Sequence, residues 1–531
     1  MTIVDNGPPL LDAPNIVIVF WGSSWVNGAD AANVGSILGA VHQVIDGPYF
    51  EGLNQLAYHY LRRPRLSTYI DFNTRSEPST VCTTHPNFCY LGDIWPMLKS
   101  EISLGALPGS TASLTATTTG SVAYLVFTPS NMGVWCSGKP AGGCHDQGTS
   151  STGNALYFSW MSDKFAVAHE LVEMMTHPNT HKPNGVFATN PTIGTGHYEI
   201  EDACCDTQIG APKPEGNHTS LGLYWSPGTG RCIAPYAWGD IAQLNSPSDW
   251  SWSFHKPVQL ATAGTWGLAV QDAAAPFHVW VRPFGGAWQD TGLPGGAGTG
   301  VAQLAITNEA VYAIRHDLAA VFRWVSGQWV NIGGNPSNIF AGDFGALFGT
   351  DPVFNALWTW TPSGGWRSIG PGAATSYAVS TQYIFRLNWD GLTWVTDPLS
   401  AINGSTNWTL TTAPAAYAMY GGAPGVGLFE TNGGNAYFVS SPTGTFPLGA
   451  TGDVLAVADN GFNGNLYRLA AQRGGVFQVN SMFQSNPGWS SAWPHSTANL
   501  VTGGKALYIT HPAVCSADDV VGGSPSNCTV P

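Results

Sequence analysis

Apolar positions follow two different rhythms along this chain. Up to about residue 235 they alternate between short continuous runs and helical stripes. Ile16-Val17-Ile18-Val19-Phe20-Trp21 is an unbroken apolar run, the pattern of a strand covered on both faces. Gly22-Ser23-Ser24 then turns the chain. From Ala31 to Ile45 the residues Val34, Ile37, Leu38, Val41 and Ile45 recur at helical spacing. The segment from Tyr49 to Tyr60 predicts a second helix, and 121–127 and 155–160 predict strands. A last helix is predicted where Phe165, Ala168, Leu171, Val172 and Met175 form a stripe ahead of Pro178, which disfavours helical geometry in the residue before it. This first region, 13–235, reads as an α/β domain.

From about 250 the helical period disappears, and short β-rich runs alternate with Gly-rich turns. Val279-Trp280-Val281 leads to Gly286-Ala287-Trp288, Val321-Phe322-Arg323-Trp324 to Gly327-Gln328-Trp329, and Leu357-Trp358-Thr359-Trp360 to Gly365-Trp366. The anchors Trp288, Trp329 and Trp366 stand 41 and 37 residues apart, and weaker copies end at Trp394, Phe446 and Trp489. A period near forty with aromatic and glycine marks predicts propeller blades, each exposing an apolar face that only its neighbours can cover. Five to seven blades are expected over 250–510, followed by a tail, 511–531, that a disulfide would clip. Most of the tryptophans are expected in the propeller core rather than as sugar platforms.

Composition narrows the class. At 531 residues the chain is too long for one ordinary core. Charged residues make up 10%, against about 25% in typical soluble proteins. The net charge of −14 offers no electrostatic footprint for nucleic acid or an anionic membrane. No apolar stretch is long enough to span a bilayer, and no leader is visible at the N-terminus. Nine cysteines fall mostly in close pairs: Cys82 with Cys89, Cys136 with Cys144, Cys515 with Cys528, and one of Cys204 and Cys205 with Cys232. The absence of any C-x-x-C argues against zinc ligation by these thiols. A disulfide framework implies an oxidising compartment and a secreted protein.

The predicted helix before Pro178 carries the chemistry. His169-Glu170-Leu171-Val172-Glu173 is the H-E-x-x-H pattern of zinc peptidases with its second histidine replaced by glutamate. Positions four apart share a helix face, so His169 and Glu173 can point at one metal ion while Glu170 acts as the base. A catalytic zinc takes three protein ligands and leaves one position for water. The expected third ligand is Glu199, with Asp202 orienting His169 through its other nitrogen; the alternatives are the reverse assignment and His177, eight residues beyond His169, if the helix persists. His145 is a candidate for stabilising an oxyanion. Two carboxylates on zinc weaken it as a Lewis acid, and calcium, which prefers oxygen ligands, is the alternative ion. If the helix instead buries His169 and leaves both acids in water, no ion is bound.

Two resemblances sharpen these expectations. Phe20-Trp21-Gly22-Ser23-Ser24-Trp25, Cys144-His145, the His169-to-Pro178 phrase, Glu199-Ile200-x-Asp202-x-Cys204 and Tyr224-Trp225-Ser226 together resemble a secreted family that includes the plant EXORDIUM and phosphate-induced proteins and metallopeptidase-like bacterial relatives. The resemblance spans 13–235 and departs at His177, where relatives carry Asp. It implies a zincin-like α/β domain holding a metal. The Gly-x-Trp-x-x-Ile-Gly-Gly phrase of the second half resembles tectonin-type propellers, which implies glycan or surface binding. The resulting expectation is a secreted zinc-dependent peptidase-like hydrolase with a protein or peptide substrate, docked through its propeller on a glycan or cell surface. The rival is a non-catalytic carbohydrate- or surface-binding protein with a structural metal.

Overall fold

The computed structural model describes residues 2–53, 61–110, 115–180, 184–189, 197–199, 224–226 and 231–233. Between 238 and 510 it describes all but short stretches, the longest being 480–489. The expected tail and the Cys515–Cys528 pairing lie outside the described residues, as do Asp202 and the side chains around Cys204, Cys205 and Cys232. Two compact units separate near residue 236, the second covering Ala237–Ala513. The protein is mostly β.

In the first unit the elements that matter are β1 (Thr2–Asp5), β2 (Asn15–Trp21), α1 (Val34–Asp46), β3 (Arg65–Asn73), α2 (Leu91–Ser103), β4 (Val122–Phe127), β5 (Gly133–Cys136), β6 (Gly143–Thr149), β7 (Ala155–Met161), α3 (Val167–Thr176), β8 (Val186–Thr189) and β9 (His197–Glu199). Five strands form one sheet in the order β6-β7-β4-β2-β3. Four of them run parallel, and β6 is antiparallel at one edge, with His145 opposite Ser159 on β7. The apolar runs form its interior: every residue of β2, β4 and β7 is buried. Ile16, Ile18 and Phe20 share one core cluster with Ile37, Leu38 and Val41 of α1 and with Leu171, Val172 and Met175 of α3.

The departures from expectation have local causes. Of the segment 49–60, the described residues Tyr49–Leu53 form a 3₁₀ turn, and the rest of the expected helix lies outside the described residues. Helix α2 is not among the expected elements, because Pro96 sits inside it; its start is fixed by Asp93, whose side chain accepts from the Tyr90 amide at 3.0 Å. Phe165 is 55% exposed rather than part of the core stripe. It lies in a 3₁₀ turn before α3, where the Asp163 carboxylate accepts its N–H.

The second unit contains seven four-stranded antiparallel sheets among the described residues. The first strand of each touches the first strand of the next, and the cycle closes between the strand at Val258–Gly264 and that at Asn499–Gly503. This is a closed propeller of seven blades, at the upper end of the expected range. One blade joins Ile241–Ser246 and Asp249–Phe254 to Asn499–Gly503 and Ala506–Thr510, so both ends of the unit share a sheet. The repeat tryptophans staple neighbouring blades. The indole N–H of Trp288 donates to the Ser253 carbonyl, that of Trp329 to the Thr291 hydroxyl at 3.1 Å, and that of Trp366 to the Gly333 carbonyl at 3.0 Å. Trp394 is not such an anchor: it lies on the third strand of its blade, and Trp408 precedes the fourth, after an inserted helix at Pro398–Ile402. Trp489 lies outside the described residues.

Candidate metal centre and buried carboxylate cluster

Helix α3 presents Glu170 and Glu173 to the protein interior and His169 to its edge. The His169 and Glu173 side chains are 26% and 3% exposed, and Nε2 of the first lies 3.2 Å from Oε2 of the second. Helical spacing brings the pair together, as the sequence predicted. Zinc bonds of about 2.0–2.2 Å at tetrahedral angles would place two donors roughly 3.4 Å apart, so this nitrogen and oxygen are spaced to share one ion.

Edge strand β6 lies against α3 and carries His145 up to Glu170 and Glu173. His145 Nδ1 is 3.2 Å from Glu170 Oε2 and 3.4 Å from Glu173 Oε2, with both carboxylates buried. Its Nε2 faces the other way, 3.0 Å from the His177 carbonyl oxygen and 3.3 Å from Glu199 Oε1. Two features hold β6 in place. The Cys136–Cys144 disulfide ties it to β5 one residue before His145, and the Cys82–Cys89 disulfide closes the neighbouring loop. Gly143 makes the contact with α3 possible: a Cβ there would stand 2.5 Å from Glu170 Oε1 and 2.8 Å from Ala166 Cβ.

The helix stops at Thr176, and His177 leaves it with φ −141° while its amide still donates to the Glu173 carbonyl. His177 therefore does not continue the His169 face. Its ring turns toward β9, where Nδ1 makes a very short contact with Glu199 Oε1, and it leans on Phe187 of β8, with centroids 4.4 Å apart. Gly185 has φ +110°, and a Cβ on it would come within 3.0 Å of the His177 ring. Beyond the helix, the Thr180 hydroxyl donates to Asp146 at 2.9 Å, tying the following loop back to β6.

Two groups of three donors converge among the described residues: His145 with Glu170 and Glu173, and His145 with His177 and Glu199. His145 belongs to both. The sequence marked it only through the Cys144-His145 pair, since the short strand carrying it, rich in glycine and polar residues, has no strand-like apolar pattern. Burial opposes its protonation, but Glu199, Glu170 and Glu173 outweigh that and hold the imidazolium well above the ordinary histidine range. Burial likewise favours neutral Glu199, yet His145 and His177 hold its carboxyl below the usual carboxylate range. Imidazole nitrogens mixed with carboxylate oxygens suit zinc better than calcium, whose sites are built from oxygen alone.

No family model and no curated protein matches this chain. Solved structures match it at low identity. Yeast RCC1 (Prp20), in a complex with Kap60, is 10% identical over 55% of this chain and 93% of its own, with a TM-score of 0.39. Virginiamycin B lyase from Staphylococcus aureus is 12% identical over 51% and 99%, with a TM-score of 0.36. YCF48 bound to D1 peptide is 12% identical over 51% and 96%, with a TM-score of 0.32. No helix among the described residues is long and apolar enough to cross a membrane.

Proposed function

We propose that this chain is a secreted, zinc-dependent hydrolase of peptide bonds. Its zincin-like, EXORDIUM-like first unit would do the chemistry, and its tectonin-like propeller would bind the protein or glycan surface on which it acts. The observation that carries this reading is the helical pair His169 and Glu173, spaced as two zinc donors at the edge of a buried cluster that holds Glu170 and His145. His169 and Glu173 would hold the ion from the helix. The third donor would come from outside the helix: His177 and Glu199 converge with each other on the far nitrogen of His145, and His169 joins neither group of three donors, which leaves Asp202, outside the described residues, as the candidate. Bound zinc supplies Lewis acidity toward a carbonyl and acidifies a water molecule.

The chain's own residues then have separate tasks. Glu170 accepts a proton at its carboxylate from the attacking water. His145 holds that carboxylate in place from 3.2 Å. Both of its ring nitrogens are engaged inside the protein, so it contributes a fixed positive charge rather than a bond to substrate, which departs from the expected direct contact with an oxyanion. Two disulfides support an oxidising compartment, and the closed ring of seven sheets supplies a rigid platform with loops free for recognition.

The test is metal analysis of the purified protein joined to a peptide-cleavage assay. About one zinc per chain, with cleavage lost in chelator and restored by zinc, is expected. A protein that carries zinc but cleaves nothing would leave only the non-catalytic binding reading. A protein with neither metal nor cleavage would end both.

A further inference from the structure

We infer that Glu199 is a positioning residue that fixes the orientation of His145 and His177 together, rather than a ligand of the ion held by His169 and Glu173. The inference rests on the hydrolase reading for its functional meaning, but its geometry stands independently. The two nitrogens of an imidazole point to opposite sides of the ring. Glu170 and Glu173 both approach His145 at Nδ1, whereas Glu199 approaches at Nε2. The His145 ring therefore stands between Glu199 and the carboxylate of Glu173 that faces His169.

The same Oε1 of Glu199 also receives His177 Nδ1. One carboxylate oxygen is thus shared by two imidazoles from different elements, β6 and the end of α3. Glu199 itself comes from a third element: β9 pairs with β8, placing Glu199 opposite Phe187, and β8 pairs with β1. The small antiparallel sheet β1-β8-β9 acts through this side chain as a brace. It sets the ring plane of His145, and through His145 the rotamer of the proton-accepting Glu170. Carboxylates that orient active-site histidines in this way tune a site without joining it.

The test compares Glu199→Gln and Glu199→Ala with the wild-type protein by two readouts. The first is zinc stoichiometry and affinity. The second is the ¹⁵N imidazole spectrum of the metal-free protein, which reports the tautomer and charge of His145 and His177. Full zinc stoichiometry is expected in both variants, with affinity reduced by about 10–100-fold at most. The resonances of both histidines should shift in Glu199→Ala and be partly restored in Glu199→Gln, which keeps an oxygen in place. Loss of all zinc in Glu199→Gln, with the imidazole spectrum intact, would make Glu199 a ligand and overturn the inference. Histidine resonances unmoved in both variants would overturn it as well. If wild-type protein binds no zinc, the hydrolase reading fails, and the spectra still decide whether Glu199 positions the two rings.

Discussion

His145 Nδ1 and Glu170 Oε2 stand 3.2 Å apart with both side chains 3% exposed, one on an edge strand and the other on the helix beneath it. Removing one partner from such a pair leaves the other charge buried without compensation, which costs about 3–5 kcal/mol. His145→Ala should therefore lower stability by that order in chelator, as read by denaturant unfolding, even though no ion is present to be lost. A loss within ~0.5 kcal/mol would mean that the pair is solvated.

Gly143 should tolerate no side chain. Its missing Cβ leaves the space that Glu170 occupies, and forcing a methyl group into a filled site costs about 1–3 kcal/mol. Gly143→Ala should lower the melting temperature and also weaken zinc binding, because relief requires α3 to move away from β6. Thermal melts with and without zinc check this. A variant as stable and as zinc-competent as wild type would show that the helix and strand are not in this contact.

The metal-free protein should lose stability on the alkaline side. The folded-state value of His145 lies well above its ordinary one, so its contribution is fully present below about pH 6.5 and is lost as pH rises through the raised value. Glu199 is held low, so its contribution is present above about pH 4.3 and disappears as pH falls through the lowered value. Both contributions are complete only between those limits. In chelator, the stability difference between wild type and His145→Gln should shrink as pH rises from 6 toward 10. A difference that grows over that range would contradict the assignment.

In the propeller, Trp366 tests the stapling of neighbouring blades. Trp366→Phe keeps a ring but removes the donor to the Gly333 carbonyl. A loss of about 0.5–1.5 kcal/mol is expected, together with smaller-ring packing losses, measured by chemical denaturation of the whole chain. An unchanged midpoint would show that the indole N–H prefers water to the neighbouring blade.

Much of this was legible in the chain, for physical reasons. The interior strands are apolar at every position because helices or neighbouring segments cover both faces, and Ile16–Trp21 says so directly. The blades repeat Gly-x-Trp because each must bond to the one before it. His169 and Glu173 were legible because helical spacing alone brings them together. What stayed hidden depends on tertiary placement. His145 lies on a strand of glycine and polar residues with no periodic signal, and only the fold brings it between Glu170 and Glu199. The placement of His177 turned on one boundary: the helix ends a residue before it, so its ring faces Glu199 instead of following His169. Trp394 misled because the inserted helix at Pro398–Ile402 delays the fourth strand of its blade.

The most direct test of the central claim is a paired measurement on Glu170→Gln, with bound zinc and peptide cleavage determined on the same preparation. The account predicts that the variant retains about one zinc per chain, as wild type does, while cleavage falls by roughly 10²–10⁴-fold, the range associated with loss of a general base. Cleavage at the wild-type rate, or zinc lost together with activity, would contradict the role given to Glu170 and the site built around it.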